Sequence, residues 1–168
     1  RLVPTPVPEA GYIYWTNRGG MNTMGRADRD GSNVNQGFAS GVIDSYGLDC
    51  IDTEIFWTSN TGSRVGRTDM LLSYFDTNFV TGCSSPIGVV ADDNYIYWIN
   101  SGTGYIGRID MTGMNTNHFW LYTGGTCSGI AVDDSYIYWT EPSNNRIGRA
   151  NIDGSSPDVN WVTGVLQV

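Results

Sequence analysis

Several residue types that support common enzyme chemistries are absent or scarce in this sequence. Its 168 residues include no lysine, because all nine positive side chains are arginine, and only one histidine, His118. The absence of lysine excludes a Schiff-base lysine, a P-loop lysine and a Ser-Lys dyad. One histidine cannot form a multi-histidine metal site, and three cysteines are too few for a disulfide framework. We therefore expect no catalytic residues, no metal site and no cofactor.

Charge and hydropathy restrict the class of partner. The net charge is −8 and only 15% of residues are charged, which argues against a nucleic-acid partner and disfavours an anionic membrane surface. No apolar run approaches 18 residues, so no membrane-spanning helix is expected. The 22 glycines, ten tyrosines and six tryptophans are typical of short strands and tight turns and exclude a disordered chain.

A repeat of 41 residues organises the chain. A Tyr-Trp motif, with Phe56 in place of Tyr in the second copy, occurs at residues 12–16, 54–58, 95–99 and 136–140. Gly-Arg pairs follow at a spacing of 41 residues, and an aromatic residue lies 13 positions after each of their glycines. The pairs are Gly25-Arg26, Gly66-Arg67, Gly107-Arg108 and Gly148-Arg149, and the aromatic residues are Phe38, Phe79, Trp120 and Trp161. The pattern predicts one domain of four units, at about 1–42, 43–83, 84–124 and 125–168.

Each unit is predicted to contain four short strands. The Tyr-Trp strand is apolar on both faces, so it requires cover on both sides. No segment shows a long helical period, which indicates an all-β chain. About 41 residues and four strands per unit are typical of a β-propeller blade. We therefore predict an all-β propeller with four four-stranded blades in this chain.

The repeats resemble the YWTD propellers of low-density-lipoprotein-receptor type and their bacterial relatives. The matching segments are residues 86–92, 97–98 and 106–108, and, most closely, 129–133, 138–140 and 147–155. The resemblance implies a propeller, usually of six blades, and a secreted or extracytoplasmic location. It does not specify function, because propellers host many activities. The likeness to bacterial propeller lyases that act on cyclic peptide antibiotics and depend on histidine concerns the fold only.

One motif position departs from that family in every copy. The terminal Asp of the motif is replaced in every copy, by Asn17, Ser59, Asn100 and Glu141. Residues that recur in every unit are expected to be structural. These are the tryptophans Trp15, Trp57, Trp98 and Trp139, predicted to be buried between blades, and the arginines Arg26, Arg67, Arg108 and Arg149, predicted to pair with carboxylates or carbonyls between blades.

Function is expected where the repeats differ. A propeller encloses a central channel, and the loops after the Tyr-Trp strands share one face around it. The polar and aromatic residues of these loops suit adaptable binding. The candidate ligand residues are Arg18, Asn60, Arg64, Asn100, Tyr105, Glu141, Asn144 and Arg146. Asp49 is a candidate for the channel, because its counterparts in other units are apolar. Solvated loops without a ligand are the alternative.

Three further motifs each allow two interpretations. Residues 2–8 alternate prolines with other residues, which suits the innermost strand of the first blade or a polyproline-like leader. Residues 28–31 form either a turn or half of a calcium loop. Cys83 and Cys127 are either buried apolar residues or a bridge between blades.

The leading functional prediction is a non-catalytic binding or scaffold module with a protein or glycan ligand. The alternatives are a propeller fragment or engineered partial repeat array that self-assembles, and a metal-dependent propeller hydrolase or lyase. The end faces of a repeat array must find cover. We therefore predict a homodimer with an eight-bladed ring, with a closed four-bladed monomer, another ring or a partner chain as alternatives.

Overall fold

The computed structural model describes residues 11–166, so the predicted strand at residues 2–8 lies outside the described part of the chain. The described residues form fifteen strands and one short 3-10 turn at Pro142–Asn144. The strands are β1 Tyr12–Asn17, β2 Thr23–Asp28, β3 Asn35–Ser40, β4 Leu48–Ile51, β5 Glu54–Ser59, β6 Arg64–Asp69, β7 Phe75–Thr81, β8 Pro86–Ala91, β9 Tyr95–Asn100, β10 Tyr105–Asp110, β11 Asn117–Tyr122, β12 Ile130–Val132, β13 Tyr136–Glu141, β14 Arg146–Asn151 and β15 Asp158–Thr163. Within residues 11–166, no helix has the length and apolar character needed to cross a membrane.

The strands form four antiparallel sheets, each a meander of consecutive strands. We name them blade 1 (β1–β3), blade 2 (β4–β7), blade 3 (β8–β11) and blade 4 (β12–β15). Blades 2, 3 and 4 have four strands, and blade 1 has three among the described residues. The all-β architecture of repeated blades confirms the predicted fold class.

The Gly-Arg motif has a steric basis. In each blade the motif tryptophan pairs in register with the motif glycine on the next strand, as Trp98 does with Gly107. The indole lies flat over the glycine, so a Cβ at Gly107 would collide with the ring of Trp98. The absence of a side chain thus lets the largest residue of the blade lie against the sheet.

Consecutive blades pack face to face, and three hydrophobic clusters lie between them. We call the face toward the preceding blade the leading face; it carries the motif tryptophan and the isoleucine two positions before it. The opposite face, called the trailing face, meets the next blade. In the cluster between blades 2 and 3, Phe56 and Val65 of one trailing face pack against Ile96 and Trp98 of the next leading face. Among residues 11–166, no hydrophobic cluster joins blade 4 to blade 1.

The predicted burial of the motif tryptophans is correct for three of the four. Trp57, Trp98 and Trp139 are at most 1% exposed, but Trp15 is only partly buried. The difference arises because blade 1 is the first blade, and no preceding trailing face covers its indole in the described structure.

The prediction for the motif arginines needs correction. Their guanidinium groups lie over aromatic rings of their own blade instead of pairing mainly with carboxylates. Arg108, for example, lies 4.1 Å from the ring centre of Tyr95 and 4.7 Å from that of Trp120. Arg26, Arg67 and Arg149 repeat this arrangement with two rings each. A planar, weakly hydrated guanidinium favours such stacking, and only Arg67 also reaches a carbonyl of the next blade among the described hydrogen bonds, that of Met111.

Candidate functional site

The loop after β1 presents an exposed residue of the predicted ligand set. Arg18 is exposed, and its guanidinium lies 3.8 Å from the ring centre of Tyr46 and 3.5 Å from Asp44. Asn60, in the equivalent loop of blade 2, donates from its backbone N–H to the carbonyl of Asp44. Arg18 and Asn60 therefore both border the Asp44 loop between blades 1 and 2.

Asn100 and Glu141 were predicted to contact a ligand, but their polar groups are not free to do so. Asn100 is 1% exposed and Glu141 is fully buried. The indole N–H of Trp98 donates to Asn100 Oδ1 at 3.0 Å, and that of Trp139 donates to Glu141 Oε1 at 3.2 Å. Both side chains are buried acceptors for the motif tryptophans, so they support the fold at these positions.

Glu141 collects two more of the predicted residues around it. Arg146 Nη2 donates to Glu141 Oε2 at 2.7 Å, and Asn144 donates to the same oxygen at 2.9 Å. The buried carboxylate is thus fully paired, as a buried charge requires. Asn144 itself is exposed, whereas Arg146 is committed to this network and to Asn160.

Tyr105 belongs to an exposed aromatic cluster that the sequence analysis missed. Its ring packs edge-on against Phe119 at 5.3 Å and lies 5.0 Å from Tyr122. Phe119 is 62% exposed and Tyr122 is 55% exposed. In blade 2 the positions of Tyr105 and Phe119 hold Arg64 and Asn78, which share a hydrogen bond of 2.7 Å. Blade 4 likewise pairs Arg146 with Asn160.

The signal for that cluster lies in the sequence but requires the strand register. Tyr105 pairs with Tyr122, as Arg64 pairs with Thr81. Once the outer strands are aligned, blade 3 is the one among blades 2, 3 and 4 that replaces the polar pair with rings. This break in repeat symmetry makes Tyr105, Phe119 and Tyr122 the aromatic platform, the name used below.

Asp49 lies on the innermost strand of blade 2, and its Oδ2 accepts the backbone N–H of Ala91 in blade 3 at 2.8 Å. Burial raises the pKa of its carboxyl above the ordinary value. Asp49 also lines an open cavity of about 870 Å³ between blades 1 and 2, together with Tyr12, Arg29 and Asp52. The carboxylate links two inner strands, and the cavity gives it access to solvent.

The histidine and the cysteines are engaged in packing or buried to different degrees. His118 packs edge-on against Trp98 with ring centres 5.6 Å apart. The three cysteines are free thiols, so Cys83 and Cys127 form no bridge. Burial raises the pKa of the thiols of Cys50, Cys83 and Cys127 to about 12. None of these thiols is a ready nucleophile at neutral pH.

Residues 28–31 form a turn closed by a hydrogen bond from the N–H of Gly31 to the carbonyl of Asp28 at 2.9 Å. The same bond closes the corresponding turns at Gly113 and Gly154. In the turn of blade 3, Asp110 accepts bonds from Thr112, Met114 and Asn115, which lower the pKa of its carboxyl. These hydrogen bonds form an Asx turn, which corresponds to the turn interpretation of this motif.

The comparisons with known proteins concern the fold. The sequence matches no protein-family model and no curated protein. It is similar in structure to nidogen, solved in a complex with laminin, with a TM-score of 0.72, 20% identity, and coverage of 88% of this chain and 59% of that chain. Streptogramin B lyase gives a TM-score of 0.70 with 24% identity, covering 95% of this chain and 57% of that one. The computationally designed Ika8 protein gives 0.60 with 11% identity, covering 82% and 42%.

The chain thus spans about 42–59% of the length of these solved structures. Their shared feature is the arrangement of blades, and they include an enzyme, a designed protein and a protein seen in complex with another. Taken with the four antiparallel sheets, the similarity shows that this chain has a β-propeller fold of repeated blades.

Proposed function

We propose that this protein is a non-catalytic propeller scaffold that binds a macromolecular ligand and completes its ring, of eight blades, with a second copy of the chain. The observation that carries this proposal is an apolar cavity of about 250 Å³ on the trailing face of blade 4, lined by Ala131, Tyr138 and Ile147 among others. In blades 1, 2 and 3 the same face is covered by the following blade. A repeat array exposes such a face only where a neighbour is missing.

The placement of reactive side chains supports a non-catalytic role. His118 packs on a structural tryptophan, and the buried thiols have raised pKa values. Among the described residues, Asp49, the channel candidate, has no second carboxylate bonded to it and instead accepts the N–H of Ala91. A hydrolase or lyase would need an acid–base pair or a metal-ligand set, and within residues 11–166 no three His, Cys, Asp or Glu side chains are grouped to hold a metal.

A protein or glycan ligand fits the exposed residues. Aromatic rings provide contact area with little loss of side-chain freedom, and the aromatic platform on blade 3 offers three. Arg18 and Tyr46 add an exposed cation and ring between blades 1 and 2. The structural similarity to nidogen, which is seen in complex with laminin, favours a protein partner.

Light scattering after size-exclusion chromatography tests the assembly. The 18.4 kDa chain should give a mass of about 37 kDa for the two-chain ring. A monomeric mass that persists at micromolar concentration, with cooperative unfolding, would overturn that part of the proposal.

Binding to glycan and peptide arrays tests the ligand. Phe119→Ser should reduce the binding of any hit, whereas Leu71→Ser, at an 84% exposed site on blade 2, should leave it unchanged. The self-assembling repeat array, which the likeness to the designed Ika8 protein favours, predicts the same mass but no array hits.

A further inference from the structure

The trailing face of blade 4 is an uncovered copy of three covered faces. Met24, Val65 and Ile106 occupy one position in blades 1, 2 and 3, and all are fully buried. Ile147 holds that position in blade 4 and is only partly buried. The outer-strand aromatic of blade 4, Trp161, is 40% exposed. Blade 4 therefore has the same apolar positions as the other blades, but within residues 11–166 no following blade covers them.

The leading face of blade 1 shows the complementary pattern. Ile55, Ile96 and Ile137 are fully buried, because each packs against the preceding blade, but Ile13 at the same position is 50% exposed. In all three internal interfaces, this isoleucine lies in the same cluster as the residue equivalent to Ile147 of the blade before it. Ile13 and Ile147 are thus the two halves of a contact that the chain makes three times internally.

A second contact repeats at the outer edge. Where blade 2 meets blade 3 and blade 3 meets blade 4, the outer aromatic of one blade lies against the turn glycine of the next, so that a Cβ on Gly113 would come within 3.0 Å of Phe79 and one on Gly154 within 2.9 Å of Trp120. Blade 2 has Leu72 at the position of this glycine. Gly31 is the equivalent glycine of blade 1, with the same positive φ, and it faces open space. The side chain of Trp161 would fill that space if blade 4 preceded blade 1 in a ring.

From these matching halves we infer that blade 4 of one copy packs head-to-tail on blade 1 of a second copy, with Ile147 against Ile13 and Trp161 over Gly31. The inference rests on the proposed two-chain ring and specifies its interface. The contact is heterologous and occurs twice, so two chains satisfy both end faces. The occupant is a second copy because the internal interfaces show which residues cover each face, and the chain carries both sets.

Charged variants on the two halves test this pairing. Ile13→Lys and Ile147→Glu should each shift the mass from about 37 kDa to 18.4 kDa, because a charge would be buried in both contacts. An equimolar mixture should recover the larger mass, because one contact is then unaltered and the other joins Lys to Glu. Ile43→Lys is the matched control: Ile43 is 51% exposed in the loop after blade 1 and should not affect assembly.

The outcomes separate this interface from the proposed function. A large mass for both single variants would overturn the head-to-tail contact while leaving self-association intact. Dissociated variants that fail to recombine would overturn the pairing of Ile13 with Ile147. A monomeric wild-type chain would overturn the ring itself. Circular dichroism of each variant establishes that loss of mass is not loss of fold.

Discussion

The indole of Trp98 donates a hydrogen bond to the side-chain oxygen of Asn100, 3.0 Å away and two residues along the same strand. Trp15 makes the same bond to Asn17 at 3.1 Å. In blade 2 the acceptor position holds Ser59, whose side chain is one bond shorter. A cavity of about 50 Å³ lies there, lined by Trp57, Ser59 and Thr77 among others. The cavity occupies the place that an asparagine side chain fills in the neighbouring blades.

Ser59→Asn should therefore stabilise the protein. The new amide would accept from Trp57 and donate to the carbonyl of Thr77, as Asn100 donates to that of His118 at 2.9 Å. We expect the free energy of unfolding in urea to rise by about 1 kcal/mol. Ser59→Ala, which adds no acceptor, is the control and should not raise it. A loss of stability in Ser59→Asn would mean that the cavity cannot hold the amide.

Gly107→Ala should destabilise the protein by about 1–3 kcal/mol, because the added methyl overlaps the buried indole of Trp98. Gly37 is the matched control: it also lies in a strand, and only the Asn35 side chain approaches its Cβ position, at 3.9 Å. Gly37→Ala should be neutral or stabilising. Equal effects in urea unfolding would show that packing over the motif glycine is not what the repeat selects.

The predictable part of the structure is what the repeat copies. The spacing of Trp98, Gly107 and Trp120, repeated about every 41 residues, predicts the strands, the number of blades and the core. In a sheet packed on both sides, the tryptophan needs a buried position and the glycine opposite it leaves room for the indole. The individual residues were harder to assign. Asn100 and Glu141 read as polar loop residues, and only the register shows that they end a strand beneath an indole. The aromatic platform likewise depends on which outer-strand residue lies opposite Tyr105.

Asp49 should make stability depend on pH in a direction opposite to that of most carboxylates. Burial raises its pKa in the folded state above the ordinary 3.8, because the protonated carboxyl is favoured there. The resulting stabilisation is fully present below pH 3.8 and is lost as the pH rises through the folded-state pKa. Asp49→Asn removes this loss. The stability of the variant relative to wild type should therefore increase between pH 3 and pH 7 in urea titrations.

Asp153→Asn provides the opposite control for that measurement. Asp153 is exposed, and a hydrogen bond from Ser155 lowers the pKa of its carboxyl. The ionised form is favoured in the folded state, so the stability of this variant relative to wild type should fall as pH rises. Parallel trends for the two variants would contradict the opposite environments assigned to Asp49 and Asp153.

Removing Glu141 should be the most damaging of these changes. Its carboxylate is fully buried and accepts hydrogen bonds from Trp139, Asn144 and Arg146. Glu141→Ala would leave Nη2 of Arg146 without its carboxylate and the indole with the carbonyl of Thr123 alone, at a cost of about 3–5 kcal/mol in the free energy of unfolding. Arg64→Ala, at the equivalent of Arg146 in blade 2, has no buried carboxylate beside it and should cost about 1 kcal/mol or less. A double-mutant cycle of Glu141→Ala and Arg146→Ala measures their coupling, and strictly additive effects would show that the two charges do not depend on each other.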